Sequence, residues 1–85
     1  MEDVPKTEMN AEEFSGDGMG IVTLIARLKL VPSKGEGFRT IEQGGLTING
    51  EKITDAKLMV KEDLFEDGKL LIKKGKKTFH LVEIR

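Results

Sequence analysis

Apolar residues at Ile21, Leu24, Ile25 and Leu28 recur three, four and seven positions apart, the spacing that lines one side of an α-helix. This pattern predicts a first helix over about 20–30, which Pro32 prevents from continuing. Ser33, followed three residues later by Glu36, has the form of a capping box, in which the hydroxyl and the carboxylate each satisfy a backbone donor at a helix start. A second helix is predicted over about 34–43 and ends at Gly44-Gly45, with Phe38 and Ile41 toward the core and Lys34, Glu36, Arg39 and Glu42 toward solvent. The period then shortens. Leu46-Thr47-Ile48 and Glu51-Lys52-Ile53 flank Asn49-Gly50, a dipeptide that signals a two-residue type I′ hairpin turn between strands over about 46–49 and 51–54. From Ala56 to Asp67 apolar and charged residues are mixed, which predicts a loop with one helical turn. Asp67-Gly68 and Gly75 punctuate two further strands, over about 69–73 and 78–82. The predicted fold class is α+β: two short helices packed on a small, mainly antiparallel sheet.

Residues 1–19 are acidic, contain Pro5 and end near Ser15-Gly16-Asp17-Gly18-Met19-Gly20, a composition poor in core-forming residues. They read as a largely flexible acidic linker in which Met9 and Phe14 are the residues able to dock, leaving 20–85 as the folded domain. Charge follows the same division. The net charge of −1 averages an N-terminal segment holding Glu2, Asp3, Glu8, Glu12, Glu13 and Asp17 against Lys6 with a remainder in which basic groups prevail. Because phosphate responds to a local patch rather than to total charge, the basic remainder stays compatible with a nucleic-acid partner.

Candidate chemistry is narrow. At 85 residues the chain makes one small domain. It has no cysteine, so disulfides and thiolate metal sites are excluded. No apolar run approaches the ~20 residues of a membrane span, and the acidic N-terminus lacks the layout of a signal peptide; a cytoplasmic, membrane-free protein is expected. His80, the lone histidine, has no second histidine or cysteine to share a metal and reads as a strand surface residue. The Ser15–Gly20 glycines lack the Gly-Lys-Ser/Thr ending of a phosphate loop. No catalytic residue, metal ligand or bound cofactor is expected in this chain.

Two basic features remain. The first turn of the second helix offers unpaired backbone N–H groups and the positive end of the helix dipole, with Lys34 beside them and Arg39 further along. The alternative is an ordinary capped helix with a solvated basic face. Lys73, Lys74, Lys76 and Lys77 flank Gly75, where they either grip phosphate by counterion release or guard a sheet edge against pairing. Lys52, just past the hairpin turn, extends the same surface if it faces the second helix. The aromatics Phe14, Phe38, Phe65 and Phe79 are few and at least two belong in the core, so shape and phosphate contacts on structured RNA fit better than base stacking.

The order helix, Gly-Gly, hairpin, with Ser33, Lys34, Glu36, Arg39, Ile41, Gly44, Gly45, Leu46, Ile48, Asn49, Gly50, Ile53 and Asp55 at matching places, resembles the RNA-binding domain of small ribosomal subunit protein four, the alpha-L motif. The run from Asp67 to Val82, DGKLLIKKGKKTFHLV, narrows the resemblance to the C-terminal RNA-binding domain of bacterial-type tyrosyl-tRNA synthetases. Gly37 departs from the small helix former usual there, and Phe38 from a second basic residue. The resemblance implies a non-catalytic domain that positions tyrosine tRNA through Lys34, Arg39, Lys52, Lys73, Lys74, Lys76 and Lys77. ATP and magnesium would belong to a catalytic domain outside this chain, this piece would be monomeric, and its parent homodimeric. Three alternatives are a free-standing binder of ribosomal or other structured RNA, the leading domain of a pseudouridine synthase, disfavoured by the finish at Ile84-Arg85, and a protein-interaction module, favoured if the basic residues scatter over several faces.

Overall fold

A computed structural model of the chain describes residues 4–85. The elements run β1 (Lys6–Met9), a 3-10 turn (Ala11–Phe14), β2 (Met19–Gly20), α1 (Ile21–Arg27), α2 (Lys34–Glu42), β3 (Leu46–Ile48), β4 (Glu51–Lys52), β5 (Met59–Val60), a second 3-10 turn (Glu62–Leu64), β6 (Lys69–Lys74) and β7 (Thr78–Ile84). Five strands form one sheet in the order β1-β7-β6-β3-β4, antiparallel except for the parallel β1–β7 pair, while β2 and β5 form a separate antiparallel pair. The architecture is α+β, two helices with a mainly antiparallel sheet, as the periodicity predicts.

Alternation along the strands decides which face is covered. Leu46, Ile48, Leu70, Ile72 and Val82 are buried in one cluster with Ile21, Leu24, Ile25 and Ile41 of the helices. The intervening Thr47, Leu71, Lys73, Phe79, Leu81 and Glu83 are only half-buried and form the open face. Both helices close with paired Schellman hydrogen bonds. Gly44 N–H donates to Ile41 and Gly45 N–H to Thr40 after α2; Lys29 N–H donates to Ala26 and Leu30 N–H to Ile25 after α1. Gly44 takes the left-handed conformation expected there, whereas after α1 the same place is filled by Lys29 at φ 63°. The Asn49-Gly50 turn has φ of 51° and 85°, the positive pair a type I′ turn requires, between the paired Ile48 and Glu51.

Several expectations are corrected. Residues 4–19, read as linker, carry an edge strand and a 3-10 turn, and Met9 and Phe14 are buried in the core; residues 1–3 of that expectation lie outside the described residues. The physical cause is pairing and burial: β1 takes the free edge of β7, and Phe14 meets Phe65 edge-on at 4.9 Å. Phe38 does not enter the core but is 43% exposed, because Gly37 and Ile41, four apart, already set the buried side of α2. Only half of the capping box forms. Ser33 Oγ accepts from Glu36 N–H at 3.3 Å, while the Glu36 carboxylate turns to Arg39 at 3.1 Å. His80 lies on the covered face of β7 rather than at the surface, with its Nε2 2.8 Å from Thr7 Oγ1 of β1.

Candidate nucleic-acid interface

The helix α2 has two ends of opposite character, and the sequence-nominated cations divide between them. Lys34 stands at the N-terminal end, in the first turn after the Ser33 cap. Arg39 lies midway, exposed, and is paired with Glu36 one turn back. A helix of this length rises about 12 Å between its first and last residues at ~1.5 Å per residue, so Lys34 is not gathered with the remaining cations.

Those gather at the C-terminal end. Gly75 N–H donates to Gly45 O at 2.8 Å, which pins the β6–β7 turn against the exit of α2. Lys52 reaches the same place from β4: a Cβ on Gly44 would stand 3.3 Å from Lys52 Nζ. Thr40, Gln43 and Gly45 on one side, and Lys74, Gly75, Lys76, Lys77 and Thr78 on the other, line a shallow groove. Helix carbonyls at this end favour cations, which lowers the cost of crowding lysines here. Thr40 and Gln43 were absent from the sequence-based candidates, although their position one turn apart before Gly44 places them beside any segment docked on the helix end.

The four lysines around Gly75 are not equivalent. Strand alternation sends Lys73 and Lys74 to opposite faces of the sheet. Lys73 lies on the open face with its Nζ 5.6 Å from the centre of the Phe79 ring, a cation–π contact. Lys74 points to the helix side, where its Nζ donates to Leu30 O at 2.8 Å and ties β6 to the end of α1. Lys76 and Lys77 occupy the exposed tip. Thus Lys52, Lys74, Lys76 and Lys77 share one end of the molecule, Lys73 lies on the opposite face of the sheet, and Lys34 and Arg39 lie along the helix.

Acidic groups occupy the other end of the strands. Glu83 pairs with Lys6 at 3.2 Å and approaches Lys69 at 4.0 Å, Glu8 pairs with Arg85 at 3.2 Å, and Glu13 pairs with Arg27. Thr78 and Glu83 are separated along β7 by about 17 Å at ~3.3 Å per residue. Among the described residues, Lys34, Lys52, Lys73, Lys74, Lys76 and Lys77 make no ion pair. Glu8 and Glu13 of the N-terminal segment thus pair with Arg85 and Arg27, while Lys52, Lys76 and Lys77 at the other end keep free ammonium groups among the described residues. Lys29, Lys57 and Lys61 likewise make no ion pair there, and Lys74 is already bonded to Leu30 O. A further cleft beside the hairpin, lined by Glu51, Asp63 and Glu66 over Ile48, Ile53 and Leu58, has no basic wall. Among the described residues no cluster of metal-ligating side chains is found, and no helix is long and apolar enough to cross a membrane.

Comparison with known proteins follows the same lines. The family model described as tyrosine–tRNA ligase SYY-like C-terminal domain matches residues 1–82. A tyrosine–tRNA ligase of Clostridium botulinum (strain Alaska E43 / Type E3) is 49% identical over 85 residues, which is 100% of this chain and 20% of the relative. Tyrosine–tRNA ligases of Acetivibrio thermocellus and Clostridium tetani are 45% and 42% identical over 98% and 99% of this chain, again 20% of each relative. The chain thus spans about a fifth of the length of these relatives. It belongs to the tyrosine–tRNA ligase SYY-like C-terminal domain family.

Proposed function

We propose that this domain binds tyrosine tRNA and positions it for a tyrosine–tRNA ligase whose catalytic domain lies outside the chain. The observation that carries this reading is the set of lysines without ion pairs at the α2 exit, Lys52, Lys74, Lys76 and Lys77, on a domain of a tyrosine–tRNA ligase family. Phosphate contacts of this kind fix register and orientation without reading sequence, so the domain contributes placement rather than chemistry. The lysines of the β6–β7 turn and Lys52 would hold one stretch of backbone, and Lys34 and Arg39 another along α2. Arg39 would exchange its exposed carboxylate partner for phosphate at little cost, since such surface pairs are worth well under ~1 kcal/mol. ATP and magnesium belong to the catalytic domain in this scheme. The domain acts as a cytoplasmic monomeric unit within a parent that dimerises elsewhere.

The test is an NMR titration of the labelled 85-residue chain with tyrosine tRNA and an unrelated tRNA at two salt concentrations. Shifts should concentrate at Lys52 and Lys74–Lys77, and exchanging Lys76 for Ala should weaken all structured RNAs alike and lower the salt slope by roughly 1. Absence of any shift at low salt would rule out RNA binding by the isolated domain.

A further inference from the structure

We infer that Phe38 is a stacking platform for one unpaired nucleobase of the bound RNA, an inference that rests on the RNA-binding reading and adds a base contact to its phosphate contacts. Phe14 and Phe65 pack on each other, and Phe79 lies under Lys73; Phe38 is the one ring among the described residues with no aromatic or cationic partner. It is also 43% exposed, on a helix whose core side is complete without it. The crowding at Gly37 explains why. A Cβ at Gly37 would stand 3.1 Å from Val22 Cγ1, so α1 and α2 approach too closely on that side to admit a large ring. Phe38, rotated about 100° further around the helix, is directed away from this contact.

The surroundings of the ring select the occupant. Lys34 is one turn before Phe38 on the same side of α2, without a carboxylate partner among the described residues, and Arg39 follows directly. One helical turn sets their Cβ atoms about 5–6 Å apart, so the long Lys34 side chain can reach the phosphate of a nucleotide whose base lies on Phe38. Glu42, one turn after Phe38, sets the polarity: the phosphate lies toward Lys34 and the base toward Phe38. An exposed ring beside an arginine also suits a protein interface, whose centre is enriched in both, but Lys34, of a type depleted there and without a carboxylate partner among the described residues, favours RNA. A base has a π-face whatever its identity, so the contact requires an unpaired nucleotide rather than a given sequence.

The test compares two RNA probes, a hairpin carrying 2-aminopurine in an unpaired loop and a fully paired duplex of equal length, bound to the 85-residue chain and to Phe38→Ala. The exposed position and the better helix propensity of alanine keep the variant folded. The variant should lose about 5- to 160-fold affinity for the hairpin, the range of base–aromatic stacking at ~1–3 kcal/mol, and should no longer change the 2-aminopurine fluorescence. Its duplex affinity and salt slope should not change, and Phe38→Trp should retain hairpin binding and a fluorescence change. Equal hairpin affinity and an equal 2-aminopurine fluorescence change for Phe38→Ala and the unsubstituted chain would overturn the stacking role while leaving the phosphate reading intact. If the parent chain binds neither probe at low salt, both readings fall.

Discussion

Asn49 shows how one residue joins local geometry to long-range structure. Its φ of 51° suits the type I′ turn, which many Asn residues achieve alone. Here the side chain also acts as a clamp: Oδ1 accepts from Leu71 N–H at 2.9 Å and Nδ2 donates to Leu64 O at 3.1 Å, joining hairpin, β6 and the second 3-10 turn. Asn49→Asp would keep the turn and the Leu71 bond but set a carboxylate oxygen against the Leu64 carbonyl. Denaturant unfolding should show a loss of about 1–3 kcal/mol, the cost of a partly buried acceptor left without its donor, whereas unchanged stability would mean the clamp carries nothing. The turn was legible from the Asn-Gly pair alone; the clamp was not, because Leu64 and Leu71 are distant in sequence.

At the scale of elements, α2 carries two glycines that differ only in what surrounds them. Each costs the helix roughly 1 kcal/mol relative to alanine. Near Gly35 a new Cβ meets only Ser33 Oγ, at 3.8 Å, so Gly35→Ala should raise stability, by less than that full amount because Gly35 stands in the first turn rather than the helix interior. At Gly37 the same gain is opposed by contacts at 3.1 Å and 3.4 Å with Val22 and Ile25, whose methyl groups must yield. Urea unfolding of the two variants should therefore rank Gly35→Ala as the more stable; the reverse order would show that α1 yields freely. The helices themselves were readable from apolar spacing and punctuation. Their rotation about the axis was misjudged at Phe38, because two buried positions, Gly37 and Ile41, already define the contact side and one of them has no side chain to announce it.

Across the whole molecule, the N-terminal segment closes the fold. Thr7 and His80, remote in sequence, meet where β1 joins β7, and burial holds the His80 imidazole below its ordinary pKa by desolvating the charged form. The unfolded chain consequently binds a proton more readily than the folded one. Stability should be complete above the unfolded value near 6.5 and decline as pH falls below it toward the depressed folded value. Thermal unfolding at pH 7.5 and 5.5 should show this loss, and His80→Gln should reduce it; an identical pH response in the variant would assign the loss to carboxylates alone. The same closure segregates charge, since Glu8 and Glu13 arrive with β1 and the first 3-10 turn and neutralise Arg85 and Arg27.

The sequence by itself determined the two helices, the β3–β4 and β6–β7 strands and their punctuation, because apolar period, Ser33, Gly44-Gly45 and Asn49-Gly50 act through neighbours within a few bonds. It also nominated the cations, since their residue types are visible without coordinates. Only the tertiary structure decided which of them act together. Strand alternation parts Lys73 from Lys74, the Gly75–Gly45 hydrogen bond carries Lys76 and Lys77 to the end of α2, and Lys52 arrives there from another strand. Composition marked the first nineteen residues as linker because acidity and glycine disfavour a core of their own. Packing overrode that preference: β1 needs no core when β7 supplies a free edge, and Met9 and Phe14 need only the one already built by the rest of the chain.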